Sequence, residues 1–121
     1  MAIAALLAGT AVALGAFATH SLRDRLSERA LEIFETGSRY QMDHALALLL
    51  LALLLSRTET GQVWLKAAGL AFLAGVVLFS GSLYALALSQ VSILGAIAPL
   101  GGVAFLVGWG CVLVAALSGK F

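Results

Sequence analysis

Tyr40, Gln41, Asp43 and His44 crowd a phenol, an amide, a carboxylate and an imidazole into a turn and a half of helix, just before eleven residues, Ala45 to Leu55, of only Ala and Leu. A carboxylate beside an imidazole can hand a proton along. An imidazole can instead ligate haem iron, a chlorophyll magnesium or a metal ion when a second ligand faces it. The chain has one further histidine, His20, so His20 and His44 are the candidate ligand pair, and no particular cofactor is assigned. The plain alternative is structural, with His20 closing the first helix and His44 hydrogen-bonded to Tyr40 or Asp43. No nucleophile elbow, phosphate loop or cysteine–histidine spacing occurs in the sequence, so there is no candidate catalytic residue and an enzyme is not expected.

The elements that position these groups must lie in a membrane. Hydrophobic residues make up 62% of the 121-residue chain and charged ones 11%, against roughly 25% charged in soluble domains. That length holds four crossings of about 20 residues each, expected at about 1–20, 38–56, 66–89 and 93–118. A net charge of +1 excludes a nucleic-acid binder, which needs a concentrated basic surface. Cys111 is the one cysteine, which rules out an internal disulfide and reads as a small packing residue.

Met1 to Thr19 carries no charged side chain. Ala16-Phe17-Ala18 resembles a signal cleavage site, but a charged leading region is missing, so a retained span is expected. Its small residues Ala2, Ala5, Gly9, Ala13 and Ala16 recur at helical spacing and end on His20, which is expected to point inward at the bundle's mouth. Asp43 and His44 are expected to face inward too, because a carboxylate or imidazole cannot face lipid cheaply. With the second span starting near Gly37, Asp43 falls about 9 Å along its axis. The candidate polar pocket is therefore His20, Tyr40, Gln41, Asp43 and His44.

Between the first two spans, Leu22, Leu26, Ala30, Ile33, Phe34 and Gly37 recur every three to four residues among most of the chain's charges. This predicts an amphipathic helix over about 24–37, capped by Ser27 and lying flat at the headgroups. The third span presents Ala71, Gly75, Leu78, Ser82, Ala85 and Ser89 on one face, with Gly81 and Ser82 as packing residues. In the fourth, Pro99 removes the hydrogen bond to Gly95 and predicts a kink or open backbone. Gly101, Gly102 and Gly108 there are expected at close helix contacts. The fold class is thus an all-α integral membrane protein: four transmembrane helices in a bundle, with an amphipathic interfacial helix between the first and second.

Four blocks of the sequence, GAFATH at 15–20, YQMDHALALL at 40–49, FSGSLYALAL at 79–88 and GAIAPLGG at 95–102, resemble in order and spacing the signature blocks of a small membrane family of unknown function. It is typified by bacterial YgdD and YwdK, and its animal relatives are called transmembrane protein 256. The resemblance implies a four-helix protein of the bacterial inner membrane without an established activity. The pattern carries over onto His20, Tyr40, Gln41, His44, Ser80, Gly81, Ser82, Tyr84, Pro99, Gly101 and Gly102. This chain departs from it at Asp43, where an uncharged residue is expected, and at Ala98, where threonine is more usual.

Three functions fit these readings. The first is a non-catalytic accessory or scaffold subunit, packing by small-residue faces in the bilayer as a homo-oligomer or within a larger membrane complex. The second is an oligomeric small-solute or ion pathway through the Asp43/His44 pocket, and the third is binding of haem, pigment or metal through His20 and His44. Orientation stays open. Arg57, Lys66 and Lys120 share one side with the termini, against Arg23, Arg25, Arg29 and Arg39 on the other. Three against four does not decide it, and the terminal amine makes the two sides even, so the positive-inside rule leaves termini-inside without a margin.

Overall fold

The computed structural model describes residues 1–119, so Lys120 lies outside the described residues. Among those residues the chain is all helical, with no strand. Helix α1 (Ala2–Phe17) ends in a wider π turn, Ala18–Leu22. Helix α2 (Glu28–Arg57) opens on Ser27, whose Oγ accepts the Ala30 amide, satisfying one of the four orphan donors of the first turn. Helix α3 (Gln62–Gly75) continues through a π turn, Val76–Ser80, into α4 (Gly81–Ser89), and α5 (Leu94–Ser118) completes the chain. The turns between them are short. Gly61, with φ of 69°, closes the turn before α3, a backbone region where a glycine costs least.

Ala2–Leu22, Gln62–Ser89 and Leu94–Ser118 are each long and apolar enough to cross a membrane. Helix α2 is longer still, at 30 residues, but only its second half is continuously apolar. The amphipathic segment expected to lie flat at the headgroups is not a separate element. It starts at Glu28 rather than near residue 24, and runs into the Ala/Leu stretch as one helix. The physical reason is that nothing between Gly37 and Tyr40 breaks a helix: a single glycine is a weak breaker, and Ser38 satisfies its hydroxyl by donating to the Glu35 carbonyl at 3.0 Å.

Helix α1 packs only on α2, α2 packs also on α3 and α4, and α5 lies against α3 and α4. Two apolar cores result. One gathers Leu51, Leu65, Phe72 and Phe105, and the other Ala18, Leu22, Phe34 and Ala87. Between them, at mid-height, lie the polar residues of α2. Gly101 and Gly108 lie where α5 comes close to the α3–α4 rod. A Cβ at Gly101 would collide with the backbone nitrogen of Phe79, and one at Gly108 with the Phe72 ring.

Other packing expectations are corrected. Along α1 the buried residues are Ala4, Ala11, Ala18 and Leu22, whereas Ala2, Ala5, Gly9, Ala13, Ala16 and His20 are exposed. Small residues occur all round this helix, so their spacing alone does not select the packed face. In α3 and α4, Gly75 and Ser82 of the expected face are buried, but Leu78 and Ser89 are exposed and the main buried line runs Phe72, Val76, Ser80 and on to Ala87. Four-residue steps drift about 40° each around an α-helix, and the π turn takes up that drift. Gly81 and Gly102 have open space where a Cβ would sit, and exposed Gly95 meets only Leu86 at 3.6 Å. Helix α5 runs through Pro99 unbroken, because the proline falls in the second turn and removes a single bond, at a glycine with no side chain to crowd it.

Candidate functional site

The mid-height layer is built from side chains that α2 throws inward at i, i+3 and i+4. Gln41, His44 and Ala45 are buried there. The Gln41 amide joins three helices. Its Nε2 donates to the Leu7 carbonyl and to Thr10 Oγ1 of α1, both at 2.8 Å, and its Oε1 accepts from the Tyr84 hydroxyl of α4 at 2.7 Å. Thr10 passes its own proton to the Leu6 carbonyl at 2.9 Å. One turn earlier, Ser80 Oγ donates to the Gly37 carbonyl at 2.7 Å, linking α2 to the α3–α4 rod a second time.

His44 is held in an aromatic box. Its ring stacks on Phe105 with centroids 3.6 Å apart and planes 10° from parallel, and meets the edge of Phe72 at 5.2 Å. Trp109 Nε1 lies 3.1 Å from His44 Nε2, and His44 Nδ1 lies 2.8 Å from the Tyr40 carbonyl. These contacts assign the tautomer. An indole nitrogen can only donate, so Nε2 accepts, Nδ1 carries the proton, and the ring is neutral with both nitrogens engaged. Tyr40 closes the box on one side, with its ring 4.7 Å from Phe79 and 6.2 Å from Phe105.

Chemically, these groups form closed ties. Among the described residues no buried side-chain nitrogen or oxygen lacks a hydrogen-bond partner. Both ties end on backbone carbonyls, which cannot pass a proton on. No cluster of three His, Cys, Asp or Glu side chains capable of holding a metal occurs among the described residues.

Of the candidate pocket, the structure brings together Tyr40, Gln41 and His44, and leaves out His20 and Asp43. Gln41 bonds α1 at Thr10, ten residues before His20 and therefore about 15 Å from it along the axis. His44 lies on the far side of Gln41 from His20, and His20 is exposed. The two histidines do not meet, so they do not form the ligand pair that their sequence positions allow. Asp43 is exposed, because 200° of helix separates it from Gln41. Nor is it near the end of the bundle. Flanked by Tyr40 and His44, it is level with Phe105, eleven residues into α5 and thirteen before its end, roughly 16 and 20 Å from the two ends. Arg39 shares that depth to within a turn, so it does not belong with Arg23, Arg25 and Arg29 in a count of charges at one membrane face. The sequence reading missed Thr10, Phe72, Phe79, Phe105 and Trp109. A signal existed in Phe105 and Trp109, two large rings one turn apart among the small residues of the fourth span.

Comparison with known proteins agrees with the sequence blocks. Residues 14–102 match the family model described as a protein of unknown function, DUF423. The chain is 48% identical over 116 residues to the UPF0382 membrane protein YwdK of Bacillus subtilis, covering 96% of this chain and 91% of that one. It is 47% identical over 115 residues to a UPF0382 membrane protein of Staphylococcus epidermidis, covering 95% and 92%. No solved structure matches the chain. With a family model spanning most of its length, relatives named as membrane proteins and three helices fit to cross a bilayer, this chain is a membrane protein and belongs to the DUF423 family.

Proposed function

We propose that this protein is a non-catalytic subunit of the bacterial cytoplasmic membrane, a four-helix transmembrane bundle whose work is to pack within an assembly. One observation carries the reading: the interior polar groups are used up in holding the helices together. Gln41 spends its amide on Leu7, Thr10 and Tyr84, and His44 spends both ring nitrogens on Tyr40 and Trp109. Among the described residues, every buried side-chain nitrogen and oxygen already has a hydrogen-bond partner. Relatives in Bacillus and Staphylococcus that are named membrane proteins support the location.

A pathway for ions or small solutes is the second reading, and Asp43 alone supports it, as an exposed carboxylate at mid-depth. Flux measurement separates the two. The full chain is reconstituted into liposomes carrying a pH-sensitive dye, beside Asp43→Asn and His44→Gln. A packing subunit gives proton and cation leak equal to empty vesicles in all three cases. Leak above that level that disappears in Asp43→Asn contradicts the packing role.

A further inference from the structure

The outer face of α2 presents a line of side chains at alternating steps of three and four residues: Thr36, Arg39, Asp43, Leu46, Leu50 and Leu53. That is the spacing of a coiled-coil seam. All of them are exposed except half-buried Thr36, and the leucines remain 49%, 61% and 40% accessible. Helices α1, α3 and α4 pack elsewhere on α2, and α5 reaches it only at inward-facing Tyr40 and His44, so among the described residues this face has no partner. Its depth makes it unusual. Arg39 and Asp43 lie level with Phe105 and Thr10, in the middle of helices that carry no charged residue from Ala2 to Thr19, Ala67 to Ser89 and Leu94 to Ser118. Charges at that depth are costly against lipid and normally pair with one another.

We propose that a second copy of this chain covers the face, α2 against α2, about a two-fold axis along the membrane normal. This rests on the packing-subunit reading and names its partner. The charge pattern selects the occupant. Arg39 and Asp43 are opposite in sign and one turn apart, so two parallel copies bring together two guanidinium and two carboxylate groups with no net charge. Each Arg39 then reaches the Asp43 carboxylate of the other copy, using donors that a single intrahelical pair leaves unmade. The Leu46, Leu50 and Leu53 layers interlock on the other half of the seam. A wholly apolar partner helix offers Arg39 and Asp43 nothing.

Charge redistribution tests this. Full chains carrying Arg39→Asp (two acids in the seam) or Asp43→Arg (two bases) are placed in phospholipid nanodiscs, alone and mixed, and their masses read by native mass spectrometry. Like charges facing each other weaken association by at least roughly tenfold. Each variant alone is then monomeric, wild type is dimeric, and the mixture forms the heterodimer. Either variant dimerising alone as wild type does, or a mixture that stays monomeric, overturns the proposal. The uncharged double variant Arg39→Gln/Asp43→Asn guards against a folding defect, and an unweakened dimer there overturns the proposal too. Wild type that is monomeric in nanodiscs yet extracted from its own membrane in a complex with other proteins overturns self-pairing alone. Asp43-dependent leak through an intact dimer overturns the packing-subunit reading alone.

Discussion

Two sides of one helix, at one height, treat polarity in opposite ways. On the inner side of α2, Gln41 and His44 are buried, and every donor and acceptor they own is matched by α1, α4, α5 or a backbone carbonyl. On the outer side, Arg39 and Asp43 stand exposed beside leucines. The inner groups are finished within the chain, and the proposed packing role rests on that. The outer pair is unfinished, and in lipid an unfinished charge is a demand for a partner. A polar residue at mid-depth thus tells little until its face is known.

Substitutions can break or sharpen that contrast. The largest effect is expected at an inner contact with no room to yield: Gly101→Leu drives its Cβ into the Phe79 backbone and costs about 3 kcal/mol in thermal unfolding in detergent. Gly102→Ala, at the neighbouring position with open space, is expected to be neutral or slightly stabilising in the same assay. His44→Ala empties the aromatic box and orphans the Trp109 indole, with an expected loss of about 2 to 3 kcal/mol and a shift in Trp109 fluorescence. Gln41→Leu removes three hydrogen bonds of about 0.6 kcal/mol each in a membrane protein. The expected loss is therefore about 1 to 2 kcal/mol, and α1 should become the first helix to exchange its amide hydrogens. The smallest effect belongs to the outer side. Asp43→Asn in detergent changes monomer stability by less than about 0.5 kcal/mol. A loss as large as that of Gln41→Leu would mean that Asp43 is part of the fold.

Much of this architecture was legible in the sequence. Long runs without charge marked α1, the α3–α4 rod and α5, and Ser27 is the cap of α2 although that helix was expected from about residue 24. The face of α1 was not legible, because Ala and Gly surround it and burial of Ala4 and Ala11 is decided by where Gln41 reaches. In the α3–α4 rod, the π turn at Val76–Ser80 shifts the buried line away from a regular period, and no residue type announces it. Asp43 shows a different failure. The cost of a charge in lipid argued for an inward carboxylate, yet the spacing from Gln41 and His44 already put it on the opposite face. The cost is real, and a neighbouring molecule can meet it as well as the chain's own interior. His20 and His44 were paired on the ends of their spans, but the register set by Gln41 and Thr10 keeps them apart.

The most direct measurement is disulfide cross-linking in intact membranes on a Cys111→Ala background, with single cysteines at Leu46→Cys, Leu50→Cys and Leu106→Cys. Leu106 is 72% exposed and, next to Phe105 in the chain, lies at the depth of Asp43, so it controls for random encounter in the bilayer. If a second copy covers the outer face of α2, the cysteines at 46 and 50 form covalent dimers rapidly while the one at 106 does not. Equal cross-linking at all three positions, or none at 46 and 50, would contradict that account.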